Sequence, residues 1–460
     1  MAGKKMFFKD LNPECDIGAN CHYVKLGPFS MVIDAGMSPR EVGLAALPNF
    51  SEIPPHSLDF IVATHCHLDH IGSIPILMRD HPQARLLVTP QSRVIMPILL
   101  ENSYVVMKHQ RRELGIKEYP LFEKSEIEGL GEHFFEMRYG LRRTFRKGEE
   151  SIAIEFFDAG HVVGAGGVLL EYKHRKIFFT GDVLFRRQKI LLGGKWPEEK
   201  IDTLVMETTR GSTERVEQKQ IEFEIERLLL TIQYTLQRKG SVLIPTFALG
   251  RTQEVLTILQ EAVKAKKIDK KVPIICSGLG LALMDTFDEI SQKHPSLLFR
   301  KSVLKDLGVI SLSKTKYFKP GDEPEKPTIF VISSGMMVEN TPSYNIAACL
   351  LGNAKNSICF VGYCDPETPG GQLLSAASGG NFLFSTLGYS TPIRAAIERF
   401  DLSGHADREE LLQAAIRLDP RAIVLTHGSE ESRNWFLDEF TYGAPQIQVL
   451  SPKVMVEYNI

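Results

Sequence analysis

Four side chains able to bind a metal fall within six positions of the chain: His65, His67, Asp69 and His70, in the segment Thr64-His65-Cys66-His67-Leu68-Asp69-His70. In an extended segment the side chains at i and i+2 leave on one face, so His65 and His67 can meet one ion while Cys66 points away. Asp69 and His70 follow after a turn. There a second ion could share the neighbourhood, as in two-metal sites whose ions lie about 3.5–4 Å apart. A single histidine is ordinarily a satisfied core or surface imidazole. Four potential ligands in this order point instead to a metal-dependent hydrolase.

The run Leu58-Asp59-Phe60-Ile61-Val62-Ala63 reads as a buried strand, with the ligand segment on the loop beyond its end and a helix opening at Ile71. Active sites of layered α/β folds favour such an edge. A dinuclear site needs more donors than one loop supplies, so further ligands must arrive from other strand ends. Three segments have that form. Phe156-Phe157-Asp158-Ala159-Gly160-His161 is followed by Gly164 to Gly167, which lets the backbone pass close to a metal. Ile177-Phe178-Phe179-Thr180-Gly181-Asp182 ends in a carboxylate, and Ile423-Val424-Leu425-Thr426-His427-Gly428 repeats the pattern late in the chain. Singly, each is as readily an ordinary strand end; together with the first motif they form a set.

With the order HxHxDH, then His161, Asp182 and a late His, the chain resembles the metallo-β-lactamase superfamily and, more narrowly, the β-CASP nucleases. The narrower likeness rests on Leu204-Val205-Met206-Glu207-Thr208-Thr209, on Ser403-Gly404-His405-Ala406-Asp407 and on Thr426-His427-Gly428, and it covers nearly the whole chain. It implies an α/β architecture: a metallo-β-lactamase αββα sandwich (residues 1–208 and 396–460) carrying an inserted parallel-sheet β-CASP domain (209–395) that caps the active site. It also implies two zinc ions, one held by His65, His67 and His161, the other by Asp69, His70 and His427, with Asp182 bridging. Manganese would suit the same mixed shell. Asp34, in Met31-Val32-Ile33-Asp34-Ala35-Gly36, matches the family's first motif and is implied to support the metal loop. Hydrolysis would proceed by attack of a hydroxide generated on the two ions. His405 would be the general acid, Glu207 would orient it, and Asp69 would count with them among the catalytic residues. One departure stands out. Where the family commonly reads Glu-Ser-Thr-Tyr-Gly, this chain has Glu207-Thr208-Thr209-Arg210-Gly211, and Arg210 is either a phosphate contact or a solvated charge.

The elements between the motifs fit that layout. A chain of 460 residues, 43% hydrophobic and 24% charged, is long enough for two or more domains with ample core. Apolar runs at 241–246, 272–276, 328–332 and 357–362 alternate with helical stretches, the pattern of a parallel sheet. Because His427 lies beyond this block, the block is an insertion. Glu101 to Lys147 reads as a helical excursion of the first domain. No apolar run of about 18 residues is present to span a membrane, and the opening MAGKKMFFKD is too polar for a secretory signal. Seven scattered cysteines do not form a disulfide framework and suggest a reducing, cytoplasmic setting. Cys359 and Cys364 read as buried thiols rather than a metal pair.

A net charge of −2 gathers no polyanion globally, so any nucleic acid must be held by local clusters. Candidates are Arg138, Arg142, Arg143, Arg146 and Lys147; Arg186, Arg187 and Lys189; and Lys264 to Lys271, the last more in the manner of a solvated helix end. Arg186 and Arg187 follow Asp182 closely enough to contact substrate phosphates. Two further phosphate-contacting features are expected in the insert. One is Arg251, where Phe247 to Glu254 leaves a strand and opens a helix. The other is the turn Ser333-Ser334-Gly335-Met336. The favoured function is a zinc-dependent ribonuclease acting on single-stranded RNA in processing or decay. Alternatives are a small-molecule hydrolase of lactones, thioesters or phosphodiesters, a DNA nuclease of the same family, and a non-catalytic RNA-binding scaffold, against which every retained ligand speaks. The sequence leaves open internal versus end cleavage, sequence preference, and assembly as a homodimer or in a processing complex.

Overall fold

The apolar runs that precede the ligand segments become strands of two facing sheets. The computed structural model describes residues 6–14, 16–214, 221–294, 297–299, 302–316 and 318–460. One seven-stranded sheet runs in the order Glu457–Asn459, Met6–Asp10, His22–Leu26, Phe29–Ile33, Phe60–Val62, Arg85–Val88 and Phe134–Glu136. The other runs Gln448–Leu450, Ala422–Thr426, Thr203–Glu207, Arg175–Phe179, Gly166–Tyr172, Glu150–Asp158 and Arg143–Lys147. Phe29–Ile33, Phe60–Val62 and Arg85–Val88 are mutually parallel, and so are Arg175–Phe179, Thr203–Glu207 and Ala422–Thr426. The loops leaving them therefore gather along one edge of each sheet.

Alternate residues of these strands meet between the sheets. Val24 and Leu26, Ile152, Ile154 and Phe156, Val168 and Leu170, and Ile177 and Phe179 belong to one cluster, as the two-residue period of a strand requires. Each such side chain contributes on the order of 1.5–3 kcal/mol by leaving water. The intervening residues Ile61, Leu86, Leu204, Met206, Ile423 and Leu425 are buried as well. Helices cover them: Pro90–Leu114 lies on Arg85–Val88 and Phe134–Glu136, and Glu430–Gly443 lies on Ala422–Thr426. Strands buried on both faces read as continuous apolar runs, which is why these were visible in the sequence. The result is the expected αββα sandwich.

The long helix Pro90–Leu114 starts where Thr89 accepts a hydrogen bond from the Ser92 amide at 3.1 Å, and ends at Gly115 in the left-handed region. It also reaches toward the ligand loops, because Thr89 and Ser92 hydroxyls donate to the Gly164 carbonyl at 2.9 and 3.1 Å. The stretch Glu101 to Lys147 departs from expectation. It is helical only to 114 and over Lys124–Gly129, and then supplies an edge strand to each sheet. In Arg143–Lys147 only Phe145 is buried, so the strand carries a single apolar signal.

The chain divides into two compact units: residues 1–187, 193–215 and 405–460 form one, and 188–192 with 216–404 form the other. The second unit holds a parallel six-stranded sheet in the order Ile310–Ser311, Ile274–Cys276, Ile329–Ile332, Val242–Pro245, Ser357–Phe360 and Ala396–Arg399. Its limits differ from the sequence boundaries of 208 and 395, because Ala396–Arg399 pairs with Ser357–Phe360 and closes the inserted sheet. The short piece 188–192 joins this unit because the Glu254 carboxylate accepts from the amides of Lys189 and Ile190 at 2.8 and 3.1 Å. Six described cysteines are free and buried, Cys359 and Cys364 among them. Among the described residues no helix is long and apolar enough to cross a membrane.

Gly36 lies where the metal loop passes closest to a neighbouring segment. A Cβ there would fall inside the van der Waals radius of the Asp69 carbonyl and press on the Asn20 amide. Gly36→Ala is expected to destabilise the protein by about 1–3 kcal/mol, as over-packing does, and to weaken metal retention with it. Urea denaturation with and without chelator tests both effects.

Candidate metal centre and active site

Eight residues from five segments converge at the strand ends of the first unit. Donor atoms of His65, His67, His161 and Asp182 lie within 4.8 Å of one another, as do those of Asp69, His70 and His427, and those of Asp182, Glu207 and His427. The turn after Phe60–Val62 places the first four: His67 precedes a helical turn over Leu68–Ile71, and a longer helix follows at Ile74–Asp80, so the helix opens earlier than Ile71. Cys66 does point away, with its thiol toward the Ser92 carbonyl and its pKa pushed up by burial to about 12.

The spacing of donors suits metal rather than hydrogen bonding. His65 Nε2 and His161 Nε2 lie 3.1 and 3.2 Å from the same atom, His67 Nδ1. One ring nitrogen carries a proton or a lone pair and cannot satisfy two such partners well. Asp182 Oδ2 stands 3.5 Å from His65 Nε2, 3.5 Å from His70 Nε2 and 3.7 Å from His161 Nε2. His427 Nε2 lies 3.3 Å from His70 Nε2 and 3.4 Å from Asp69 Oδ2. A tetrahedron of ligands at zinc–nitrogen distance has edges of about 3.3 Å. Asp182 is 3% exposed, and its Oδ1 has no hydrogen-bond partner among the described residues, although His427 Nδ1 lies 3.2 Å away. A cation would satisfy that buried oxygen, so the residues fit one.

Neighbouring groups fix the rings. Asp34, held at φ 61°, accepts from the Thr64 amide at 2.7 Å and hydroxyl at 2.8 Å, and its Oδ2 lies 2.8 Å from His70 Nδ1. That contact assigns the His70 proton to Nδ1 and leaves Nε2 for the cluster, the usual carboxylate support of a metal-binding imidazole. Thr209 does the same for His427. Its hydroxyl sits 3.0 Å from Nδ1 and 3.3 Å from the His427 carbonyl, so it donates to the carbonyl and accepts from the ring. Sequence reasoning missed Thr209 and also Asn20, whose amide stands 3.2 Å from His70 Nδ1 and 3.3 Å from Asp34. Thr209 had a signal, two positions after Glu207; Asn20 had none.

Charge within the cluster is strongly redistributed. Burial works against the Asp182 carboxylate, but His427, His70 and His65 around it hold its pKa well below the carboxylate range. Burial likewise opposes Asp69, yet His70 and His427 bring it to about 2. Burial drives His65 well below an ordinary imidazole, and His70 beside it adds to the effect. For His70 burial is outweighed by Asp182, Asp69 and Asp34, which raise it well above that value; Asp182 and Asp69 likewise raise His427. In metal-free protein, protons on His70 and His427 therefore persist to higher pH and compete with a cation. Metal affinity is expected to fall as pH drops through these raised values and to level off above them, by up to about tenfold per pH unit for each proton displaced. Chelator competition across a pH series measures the slope.

Glu207 and His405 lie beside the candidate metal ligands. His405 Nδ1 is 3.1 Å from Glu207 Oε2 and 3.3 Å from Oε1, and its ring centroid is 4.6 Å from that of His161. Glu207 is 2% exposed, and its Oε1 also accepts from the Val183 amide at 2.7 Å. The His405 side chain retains 13% exposure, so a proton can exchange with solvent. Arg210 is neither solvated nor turned to an open surface: it is 7% exposed, and Nη1 lies 2.7 Å from Asp407 Oδ1.

Other expected contacts fall elsewhere. Arg186 is half-buried in the first unit, four residues after Asp182. Arg251, in the second unit, differs from expectation: it is 5% exposed and donates to the Leu402 carbonyl at 2.7 Å and to the Gln188 side chain, so its guanidinium braces that unit instead of facing an anion. Ser333 bonds Ser277, Ser334 accepts from the Val338 amide at 3.1 Å, and Gly335 packs closely on Phe247, which ties that turn into its own unit. Several expected basic clusters are neutralised by partners, Lys147 by Asp59 at 2.7 Å, Arg142 by Glu171, and Lys264 by Asp306 at 3.1 Å.

Comparison with known proteins agrees with this geometry. Residues 16–215 match the metallo-beta-lactamase superfamily, 252–373 the Beta-Casp domain, and 390–445 the Zn-dependent metallo-hydrolase RNA specificity domain. The chain is 27% identical over 95% of its length to cleavage and polyadenylation specificity factor subunit 3 of Dictyostelium discoideum, covering 55% of that protein. It is 30% identical over 81% of its length to transcription termination factor FttA of Pyrococcus abyssi, covering 58% of it. To probable RNase MJ4 of Methanocaldococcus jannaschii it is 24% identical, over 92% of this chain and 94% of that one. The chain thus spans little more than half of the first two relatives. A solved structure, a protein of unknown function from Enterococcus faecalis, shares the fold at a TM-score of 0.56 and 13% identity, covering 99% of this chain and 100% of that one. With its motifs, its sandwich and its inserted parallel sheet accounted for, the chain belongs to the metallo-β-lactamase superfamily and, within it, to the β-CASP proteins.

Proposed function

We propose that the protein is a zinc-dependent ribonuclease that hydrolyses single-stranded RNA in RNA processing or decay. The observation that carries this reading is the Glu207–His405 pair, 3.1 Å apart, with the imidazole ring 4.6 Å from that of the metal ligand His161. Such a pair would serve as proton donor to the leaving oxygen of a phosphodiester. His65, His67 and His161 would hold one zinc, Asp69, His70 and His427 the other, and Asp182 would lie between them. Bound there, two cations would supply a nucleophilic oxygen at neutral pH and would offset charge on the phosphate. The chain's own residues do the rest. Asp34 and Thr209 keep the ring nitrogens of His70 and His427 facing inward, and Glu207 orients His405. The match of residues 390–445, which include both His405 and His427, to an RNA specificity domain supports RNA as the substrate class, as do relatives named as ribonucleases.

The test is cleavage of an end-labelled single-stranded RNA by zinc-loaded protein beside a single-stranded DNA control. Cleavage of RNA supports the reading, and the product ladder separates internal cutting from end trimming. Zinc-replete protein that leaves RNA intact would sink it.

A further inference from the structure

We propose that Arg210 is a positioning residue for the proton donor His405, acting through Asp407; this rests on the general-acid role given to His405 above. The two side chains are 9% and 11% exposed, with Arg210 Nη1 2.7 Å from Asp407 Oδ1. Solvent and salt screen a pair so enclosed only weakly, and removing one partner leaves the other charge uncompensated. The pair therefore fixes where Asp407 sits.

Asp407 is in turn tied to His405. It caps the helix Arg408–Leu418, accepting from the backbone of the first turn while its own amide donates to Glu410 at 3.1 Å. Immediately before it, the Ala406 amide donates to the Val183 carbonyl at 2.7 Å. Immediately after it, Arg408 donates to the Gly211 carbonyl at 3.2 Å and lies 4.5 Å over the ring of Trp435. Three cross-links thus join the segment 207–211 to the segment 405–408 in matching order: Glu207 to His405, Arg210 to Asp407, Gly211 to Arg408. The first orients the imidazole itself. The second, two residues on, holds the backbone that carries it. Thr209, within the same segment, meets the ligand His427. Arg210 accordingly sets the register between the proton donor and the metal ligands.

The experiment compares two substrates with opposite needs for a proton. RNA has an alkoxide leaving group that must be protonated, whereas bis(p-nitrophenyl) phosphate releases a stable phenolate that need not be. Arg210→Met is expected to lower kcat on RNA by about 10- to 100-fold, the scale of a small misplacement at a reacting group. KM, zinc content and hydrolysis of the nitrophenyl ester should stay within about twofold of wild type. Arg210→Lys, which keeps the charge without the planar fork, should lose less. Asp407→Asn should mimic Arg210→Met, and the double variant should be little worse than either alone. Equal loss on both substrates would overturn the proposal, because the pair would then serve the fold or the metals. So would a raised KM with kcat unchanged, which would make Arg210 an RNA contact. Should Arg210→Met not fold, Arg210→Lys and Asp407→Asn carry the same comparison. Failure of the nuclease reading shows separately, as wild-type protein inert toward RNA, and takes the proposal with it.

Discussion

Asp182→Ala should strip the cluster of metal and lower RNA cleavage by more than about 10³-fold, beyond the range seen for a single oxyanion donor. The reason is its central place. Its carboxylate stands within 3.7 Å of four imidazoles, those of His65, His70, His161 and His427, and so meets residues of both ligand groups. Without it, five histidines and Asp69 are left to hold two cations. Elemental analysis after dialysis and a cleavage assay on the same preparation check both parts. Asp182→Ala protein that retained its full metal content would overturn this account of the site.

His405→Ala should give the opposite dissociation. Cleavage of RNA is expected to fall by about 10²- to 10⁴-fold, the usual contribution of a positioned acid, while metal content stays at the wild-type level. Its Nδ1 is committed to Glu207, so truncating the ring removes a proton donor without removing a ligand. Glu207→Gln keeps a hydrogen bond to the imidazole but not the charge, and should cost less than His405→Ala. Metal loss in His405→Ala would place the residue among the ligands and remove its role as acid.

The parts legible in the sequence were those where burial and chemistry coincide. Phe60-Ile61-Val62 and Ile423-Val424-Leu425 stood out because they are covered on both faces, and the residues just beyond their ends are the ones that can bind a metal. The insertion was legible from His427 lying past the parallel-strand block. Edge elements were not. Arg143–Lys147 shows one apolar residue in five, and Ala396–Arg399, only half-buried, reads like the start of the next domain. Orienting groups were also hidden, since Asn20 and Thr209 are common polar residues whose importance exists only once His70 and His427 are beside them. Arg251 misled for a related reason. An arginine at a helix start after a strand has the form of an anion contact, and only its tertiary neighbours Leu402 and Gln188 reveal a brace.

The parallel pairing of Thr203–Glu207 with Ala422–Thr426 spans the whole inserted block. Bringing together strands so distant in sequence carries a loop-closure cost and tends to come late in folding. Six of the seven cluster residues, together with Glu207, precede that block, while His405 and His427 follow it. A chain leaving the ribosome folds from its N-terminal side, so it would display a half-built cluster long before the proton donor and last ligand arrive. Full retention of metal thus waits until translation has carried His427 out of the ribosome. A centre assembled in this order stays incomplete through the synthesis of the whole inserted block, whatever the earlier ligands have already gathered.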